Sequence, residues 1–174
     1  FRNEKSIGVR LEDLKEFPQE TIYALCAWFG IKEEKSLYEM TAQGKKWWGN
    51  PASPDYAKDG MNPFGKVSLK RKAGSILSEN DQFILRTLFY PFNVRFGYAK
   101  KNSDQFKTDL DIIRPMLDEI FDFEKKMASK TQKNQSSLIK SGSYLYLRSQ
   151  LLERWKILKT YQTYPNMIEP LKIN

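Results

Sequence analysis

The sequence predicts a mainly α-helical protein with one or a few short strands. Several segments carry apolar residues at helical spacing, and the clearest stripe is Ile22, Leu25, Cys26 and Phe29. Only residues 6–11 show the alternation and the β-branched residues that are typical of a strand. Because one strand cannot form a sheet, this strand is expected to lie in a sheet only if it joins strands from a segment outside the sequence.

The first part of the chain is predicted to fold as strand, turn and helix. The helix begins at Pro18, because the first helical turn needs no N–H donor there, and it ends at Gly30. A second, short helix is expected around residues 33–41. Residues 43–66 are rich in glycine and proline and therefore predict a long loop. Because this loop also contains aromatic residues, we expect it to be ordered and to cover the rest of the protein.

Helices also dominate the prediction for the rest of the chain. Ser78 and Asp81 form a capping pattern at the start of a helix. This helix is expected to run to about Phe96 and to stop at Gly97, with a kink or an early end at Pro91.

Two more helical regions are predicted beyond residue 100. Pro115 interrupts the apolar stripe of residues 104–128, so this region forms either two helices or one bent helix. Residues 129–142 are polar and basic and predict a mobile linker. The last helix spans residues 143–161, where leucines and Trp155 keep helical spacing.

The composition excludes several kinds of site. The 174 residues contain no histidine and a single cysteine, Cys26, so disulfides within the chain, Cys/His zinc sites and histidine-dependent nucleophiles are excluded. Cys26 lies on the apolar stripe and is interpreted as core packing. The longest apolar run, residues 23–31, is far shorter than the ~20 residues of a membrane helix. We expect no membrane partner and no metal.

The N-terminus bears on the predicted compartment. The chain begins at Phe1 and not at Met, so the natural start is expected to precede it. No signal peptide is recognisable in the sequence. We predict a cytoplasmic location, and a secretory compartment stays open.

Positive charge is concentrated in two regions. The net charge is +8, which favours an anionic partner. Residues 125–159 hold nine Lys or Arg residues and one acid, Glu153, and residues 45–72 hold seven against Asp55 and Asp59. The charge alone does not identify the partner.

Three sets of segments, in this order, resemble the sulfotransferase family. Residues 9–14 (Val-Arg-Leu-Glu-Asp-Leu) precede Pro18 and a helix that closes on Trp-Phe-Gly-Ile at 28–31. Residues 45–51 and 53–56 are similar to an aromatic, proline-bearing loop of bacterial and marine relatives. The late segments are residues 70–74 (Lys-Arg-Lys-Ala-Gly), a helix opening at 77–78 and Phe-Gly-Tyr at 96–98. The resemblance covers roughly residues 6–98.

The resemblance implies transfer of a sulfuryl group from 3′-phosphoadenosine 5′-phosphosulfate to a hydroxyl or amine, without a metal. The implied fold is the C-terminal helical part of a P-loop-like α/β sulfotransferase fold. By the family's pattern, the donor's 3′-phosphate is held by Lys70, Arg71, Lys72 and Gly74. The acceptor side is lined or covered by Lys45, Lys46, Trp47, Trp48 and Tyr56.

The chain departs from the family pattern in ways that bear on catalysis. It contains no glycine-rich or Lys-Ser/Thr phosphate loop and no histidine to act as the usual base. Both are expected in an N-terminal half outside this sequence, so no catalytic residue is assigned. Ala73 replaces a glycine of the family, and Leu11 stands where many cytosolic members have a tyrosine.

Two alternatives without catalysis stay open. One is a basic helical module that binds anions or nucleic acid, since residues 125–159 interleave charge with aromatic residues; the chain has no recognised nucleic-acid motif, which weighs against nucleic acid. The other is an interaction domain that forms a homo-oligomer or binds a missing half. For the domain organisation we predict a sulfotransferase-like segment at 1–98 and a helical extension packed on it at 99–174.

Overall fold

The computed structural model describes residues 6–39, 41–42, 45–46, 52, 64, 76–130 and 139–173. These residues form seven α-helices, a 3₁₀ helix and four two-residue strands. The helices are α1 (Leu11–Glu16), α2 (Pro18–Phe29), α3 (Glu79–Leu88), α4 (Tyr90–Arg95), α5 (Ser103–Met116), α6 (Asp122–Lys130) and α7 (Gly142–Tyr161), and the 3₁₀ helix is Lys35–Tyr38. The strands are β1 (Ile7–Gly8), β2 (Thr41–Ala42), β3 (Lys45–Lys46) and β4 (Glu169–Pro170). The predicted helical class is therefore confirmed.

The chain divides into two compact units. Unit one comprises residues 72–167, and unit two comprises residues 3–71 together with 168–174. The domain organisation predicted from the sequence, with segments 1–98 and 99–174, stays a prediction.

The core of unit one lies between α3, α5 and α7. Its buried residues are Ile84, Leu88, Phe106, Leu110, Ile113, Leu117, Phe121, Leu151 and Leu158. The Tyr90 ring stacks on Phe106 with centroids 4.2 Å apart. Trp155 on α7 donates from Nε1 to the Leu110 carbonyl at 2.7 Å. The indole N–H of this packed residue is thereby satisfied inside the unit.

The N-termini of α3 and α6 share one carboxylate. The Ser78 hydroxyl accepts from the Asp81 N–H while Asp81 accepts from the Ser78 N–H, so the predicted capping pattern is confirmed. The same carboxylate also accepts the N–H groups of Asp122 and Phe123, each at 3.0 Å. In return the Ser78 hydroxyl donates to Asp122 at 2.7 Å. The bond from the Ser78 hydroxyl, together with one from Lys125, holds the pKa of Asp122 below its ordinary value.

Arg148 lies at the C-terminal end of α5. Its guanidinium donates to the carbonyls of Leu117 and Glu119, which follow the last turn of that helix, and to the Tyr144 hydroxyl. It also lies over the Phe121 ring, 4.9 Å from the centroid. A cation at a helix C-terminus both satisfies orphan carbonyls and complements the helix dipole.

Two predicted helical regions of unit one are each divided near a proline, as the sequence allowed. The helix that begins after Ser78 ends at Leu88, and a separate helix, α4, follows. The break falls at Phe89, two residues before Pro91, because proline has no N–H to donate to the carbonyl four residues back, that of Thr87, and its ring would clash with that carbonyl. Of the two options left for residues 104–128, two helices are observed, and Pro115 falls in the last turn of α5.

Unit two is built around α2, whose limits agree with the prediction. The predicted strand at 6–11 is wrong in its extent, because only Ile7 and Gly8 are strand and Leu11 already begins α1. β1 pairs in parallel with β4, a strand that the sequence analysis missed. β2 and β3 form a separate antiparallel pair.

Gly30 ends α2 in the left-handed conformation, with φ of 67°. A Cβ added there meets no atom within 4 Å, so any cost of a side chain comes from the backbone alone. We expect Gly30→Ala to lower the free energy of unfolding by about 1 kcal/mol. Gly142→Ala is the matched control: it lies at the start of α7, has equal room, and should leave stability unchanged or slightly raised. Urea denaturation of both variants measures the contrast, and equal effects would contradict this explanation.

Candidate functional site

Most of the site residues predicted from the sequence lie outside the described residues. These are Trp47, Trp48, Tyr56, Lys70, Arg71, Lys72 and Gly74. Lys45 and Lys46 form β3, where they pair with Ala42 and Thr41 respectively. Their assignment to donor or acceptor therefore stays a prediction.

Unit two has an apolar cleft of about 500 Å³ along one face of α2. The helix supplies the predicted stripe, with Cys26 4% exposed, and the opposite wall includes Leu37 and Phe64. Lys15 and Glu39 are its charged lining residues. A concave, largely apolar surface with a few polar groups suits the hydrocarbon part of a small ligand. The position of Cys26 agrees with packing, as expected from the sequence.

A second face of α2 borders a polar cleft of about 720 Å³. Gln19, Glu20 and Tyr23 line it from the helix, and Lys172 lines it from the C-terminal segment. Such a mixture of donors and acceptors can bind polar groups but sets up no nucleophile beside a base.

Glu33 and Tyr38 face each other in the polar cleft. The Tyr38 hydroxyl donates to Glu33 Oε1 at 2.5 Å. This bond to a carboxylate is the main reason that the pKa of Tyr38 is raised to about 12. Tyr38 thus acts as a hydrogen-bond donor and keeps its proton to a higher pH than an ordinary tyrosine.

The sequence analysis did not single out the residues of the polar cleft. Gln19, Glu20 and Tyr23 share a helix face, and that face could have been identified from α2. Lys172 comes from a distant part of the chain, so no local pattern indicates that it joins them. The same holds for Phe64 in the apolar cleft.

Among the residues that the structure describes, no helix combines the length and the apolar character that crossing a bilayer requires. In the same residues, no group of three or more His, Cys, Asp or Glu side chains is arranged to hold a metal ion.

Comparison of the chain with protein-family models, with curated proteins and with solved structures gave no match.

Proposed function

We propose that this chain is the part of a sulfotransferase that binds the 3′-phosphate end of 3′-phosphoadenosine 5′-phosphosulfate and covers the acceptor. The acceptor supplies a hydroxyl or an amine. The sequence contains no phosphate loop, so the residues that hold the 5′-phosphosulfate come from a segment outside this sequence.

The observation that carries the proposal is the backbone at two glycines. Gly30 and Gly97 belong to the Trp-Phe-Gly-Ile and Phe-Gly-Tyr segments on which the resemblance depends. Both have positive φ, 67° and 74° respectively, which other residues adopt only with strain. Each of these glycines therefore stands where its helix ends, which fits the pattern of the resembling segments.

The chemistry of the donor fits the charges near residue 71. Arg71 and Lys72 would hold the 3′-phosphate, since fixed cations form strong, charge-assisted hydrogen bonds with phosphate oxygens. Sulfuryl transfer proceeds by in-line displacement at sulfur, so positioning and cationic stabilisation supply most of the rate. The segment that bears Lys45 and Trp47 would exclude water from the acceptor side.

Contacts in unit one weigh against the nucleic-acid alternative. Arg148 and Arg154 lie over rings of their own unit, with Arg154 5.6 Å from the Tyr164 centroid. Trp155 is half-buried and hydrogen-bonded to the backbone. These three side chains are already engaged within the unit, whereas Tyr146 and Tyr161, 68% and 70% exposed, keep surface for stacking bases.

Thermal unfolding of the full chain with 3′-phosphoadenosine 5′-phosphate tests the proposal. At about 100 times its Kd the ligand should add about 2.7 kcal/mol of stability. That corresponds to a rise in Tm of about 5–10 °C for a chain of this size. The Arg71→Ala/Lys72→Ala variant should lose this rise, because it lacks both predicted phosphate contacts.

Two controls make the result specific. Lys126→Ala/Lys130→Ala removes the same charge from exposed positions of α6 and should keep the full rise in Tm. Adenosine 5′-monophosphate lacks the 3′-phosphate and should give a much smaller rise. No stabilisation of the natural sequence, or equal stabilisation of the Arg71→Ala/Lys72→Ala variant, would overturn the assignment of the 3′-phosphate site to this chain.

A further inference from the structure

Unit one contains a third cleft, of about 410 Å³, that the proposed function does not use. It lies where α4, the start of α5 and the residues after α7 meet. Its apolar floor is formed by Pro91, Phe106 and Met167, all of them buried. The cleft is therefore built on the packed part of unit one, and its floor is rigid.

Two cations line this cleft in defined positions. Arg95 donates from Nη1 to the Met167 carbonyl at 2.9 Å, which fixes its guanidinium at the wall. Lys101 is exposed, and the residue after it, Asn102, makes two hydrogen bonds. The Asn102 N–H donates to Tyr90 Oη, and the Asn102 side chain accepts from the Gln105 N–H at 3.1 Å. The backbone at Lys101 is thus held beside the cleft.

The charged residues described in the lining are both cations, Arg95 and Lys101. No carboxylate lines the cleft among the residues that the structure describes. The acid at the start of α5, Asp104, is 97% exposed and pairs with Lys107 at 3.6 Å instead. Ser103 and Thr163 add hydroxyl groups to the wall. A cleft with cations at the rim and hydrocarbon at the floor complements an anion that carries an apolar group.

We propose that this cleft binds a small amphipathic anion, with its carboxylate, sulfate or phosphate group at Arg95 and Lys101 and its apolar part on Phe106 and Met167. A volume of about 410 Å³ accommodates a single aromatic ring with its headgroup. The inference is independent of the proposed sulfotransferase function, because it uses none of residues 45–74.

Chemical-shift titration of the ¹⁵N-labelled full chain with benzoate, phenyl sulfate and phenyl phosphate tests this site. At least one of these anions should bind saturably, with shifts at Val94, Lys101 and Thr163. Benzyl alcohol, which lacks the charge, and inorganic sulfate, which lacks the ring, should bind at least about tenfold more weakly. Comparison of the three anions identifies the preferred headgroup.

Two charge-reversal variants at adjacent positions, one inside the cleft and one outside it, provide a matched pair. Lys101→Glu should weaken binding at least about tenfold, and Lys100→Glu, outside the cleft, should weaken it less than about twofold. Val94→Phe, which fills part of the cleft, should abolish binding while the spectrum stays folded. Equal effects of the two reversals, or absence of saturable binding by all three anions, would overturn the proposal. The Arg71→Ala/Lys72→Ala variant should bind these anions as the natural sequence does. Failure of the anion-cleft proposal is therefore distinguishable from failure of the proposed 3′-phosphate site.

Discussion

Replacing Asp81 with alanine should lower the free energy of unfolding of unit one by about 3 kcal/mol. The side chain is 1% exposed and accepts the N–H groups of Ser78, Asp122 and Phe123. Alanine would leave these donors of two helix N-termini without their acceptor; α3 would keep the cap from the Ser78 hydroxyl but lose the other half of its capping box. Urea denaturation followed by circular dichroism measures the loss.

Two variants separate the role of this carboxylate from a general effect of charge. Asp81→Asn keeps the shape but offers one acceptor oxygen in place of two, so it should lose about 2 kcal/mol. Asp104→Ala removes an exposed acid from the first turn of α5 and should cost less than about 0.5 kcal/mol. A loss from Asp104→Ala equal to that from Asp81→Ala would mean that shared capping is not what stabilises the unit.

Arg148→Ala is the second large effect, with an expected loss of about 3 kcal/mol. The variant gives up the bonds to the Leu117 and Glu119 carbonyls together with the contact on the Phe121 ring. Leu117 is fully buried, so its carbonyl would remain without this donor in a place that water reaches poorly. The same denaturation experiment measures the effect, with an expected shift of the midpoint and little change in slope.

Arg154 offers a matched control on the same helix. It lies over two rings, those of Phe89 and Tyr164. Arg154→Ala should therefore cost only about 1 kcal/mol. Arg148→Lys keeps the charge but loses the two-pronged geometry, and should recover less than half of the stability lost in Arg148→Ala. Recovery in full would show that charge alone matters at this position.

The sequence predicted those features that depend on neighbouring residues. Pro18 and Gly30 delimit α2 as expected, and Ser78 caps α3 through Asp81 only three positions along. Each of these signals acts within one helical turn, so it is visible in a short stretch of sequence.

Features that depend on residues far apart in the sequence were not predicted. Asp81 and Asp122 are 41 positions apart, and the bond from Arg148 to Leu117 spans 31. β4 has only two strand residues, too few for an alternating pattern. The sites show the same division: the apolar stripe of α2 was predicted, while the polar cleft needs Lys172 from the far end of the chain. The predicted donor and acceptor residues lie outside the described side chains and stay predictions.

The parallel pairing of β1 with β4 has a consequence for synthesis on the ribosome. The two strands of this pair are separated in the sequence by all of unit one. At about 5–20 residues per second, translation of residues 9–168, which lie between them, takes roughly 8–32 s. Residues 72–167 of unit one are continuous in sequence and can fold as soon as they emerge, whereas β1 leaves the ribosome long before its partner exists. The fold of unit two is therefore completed only after unit one has been synthesised.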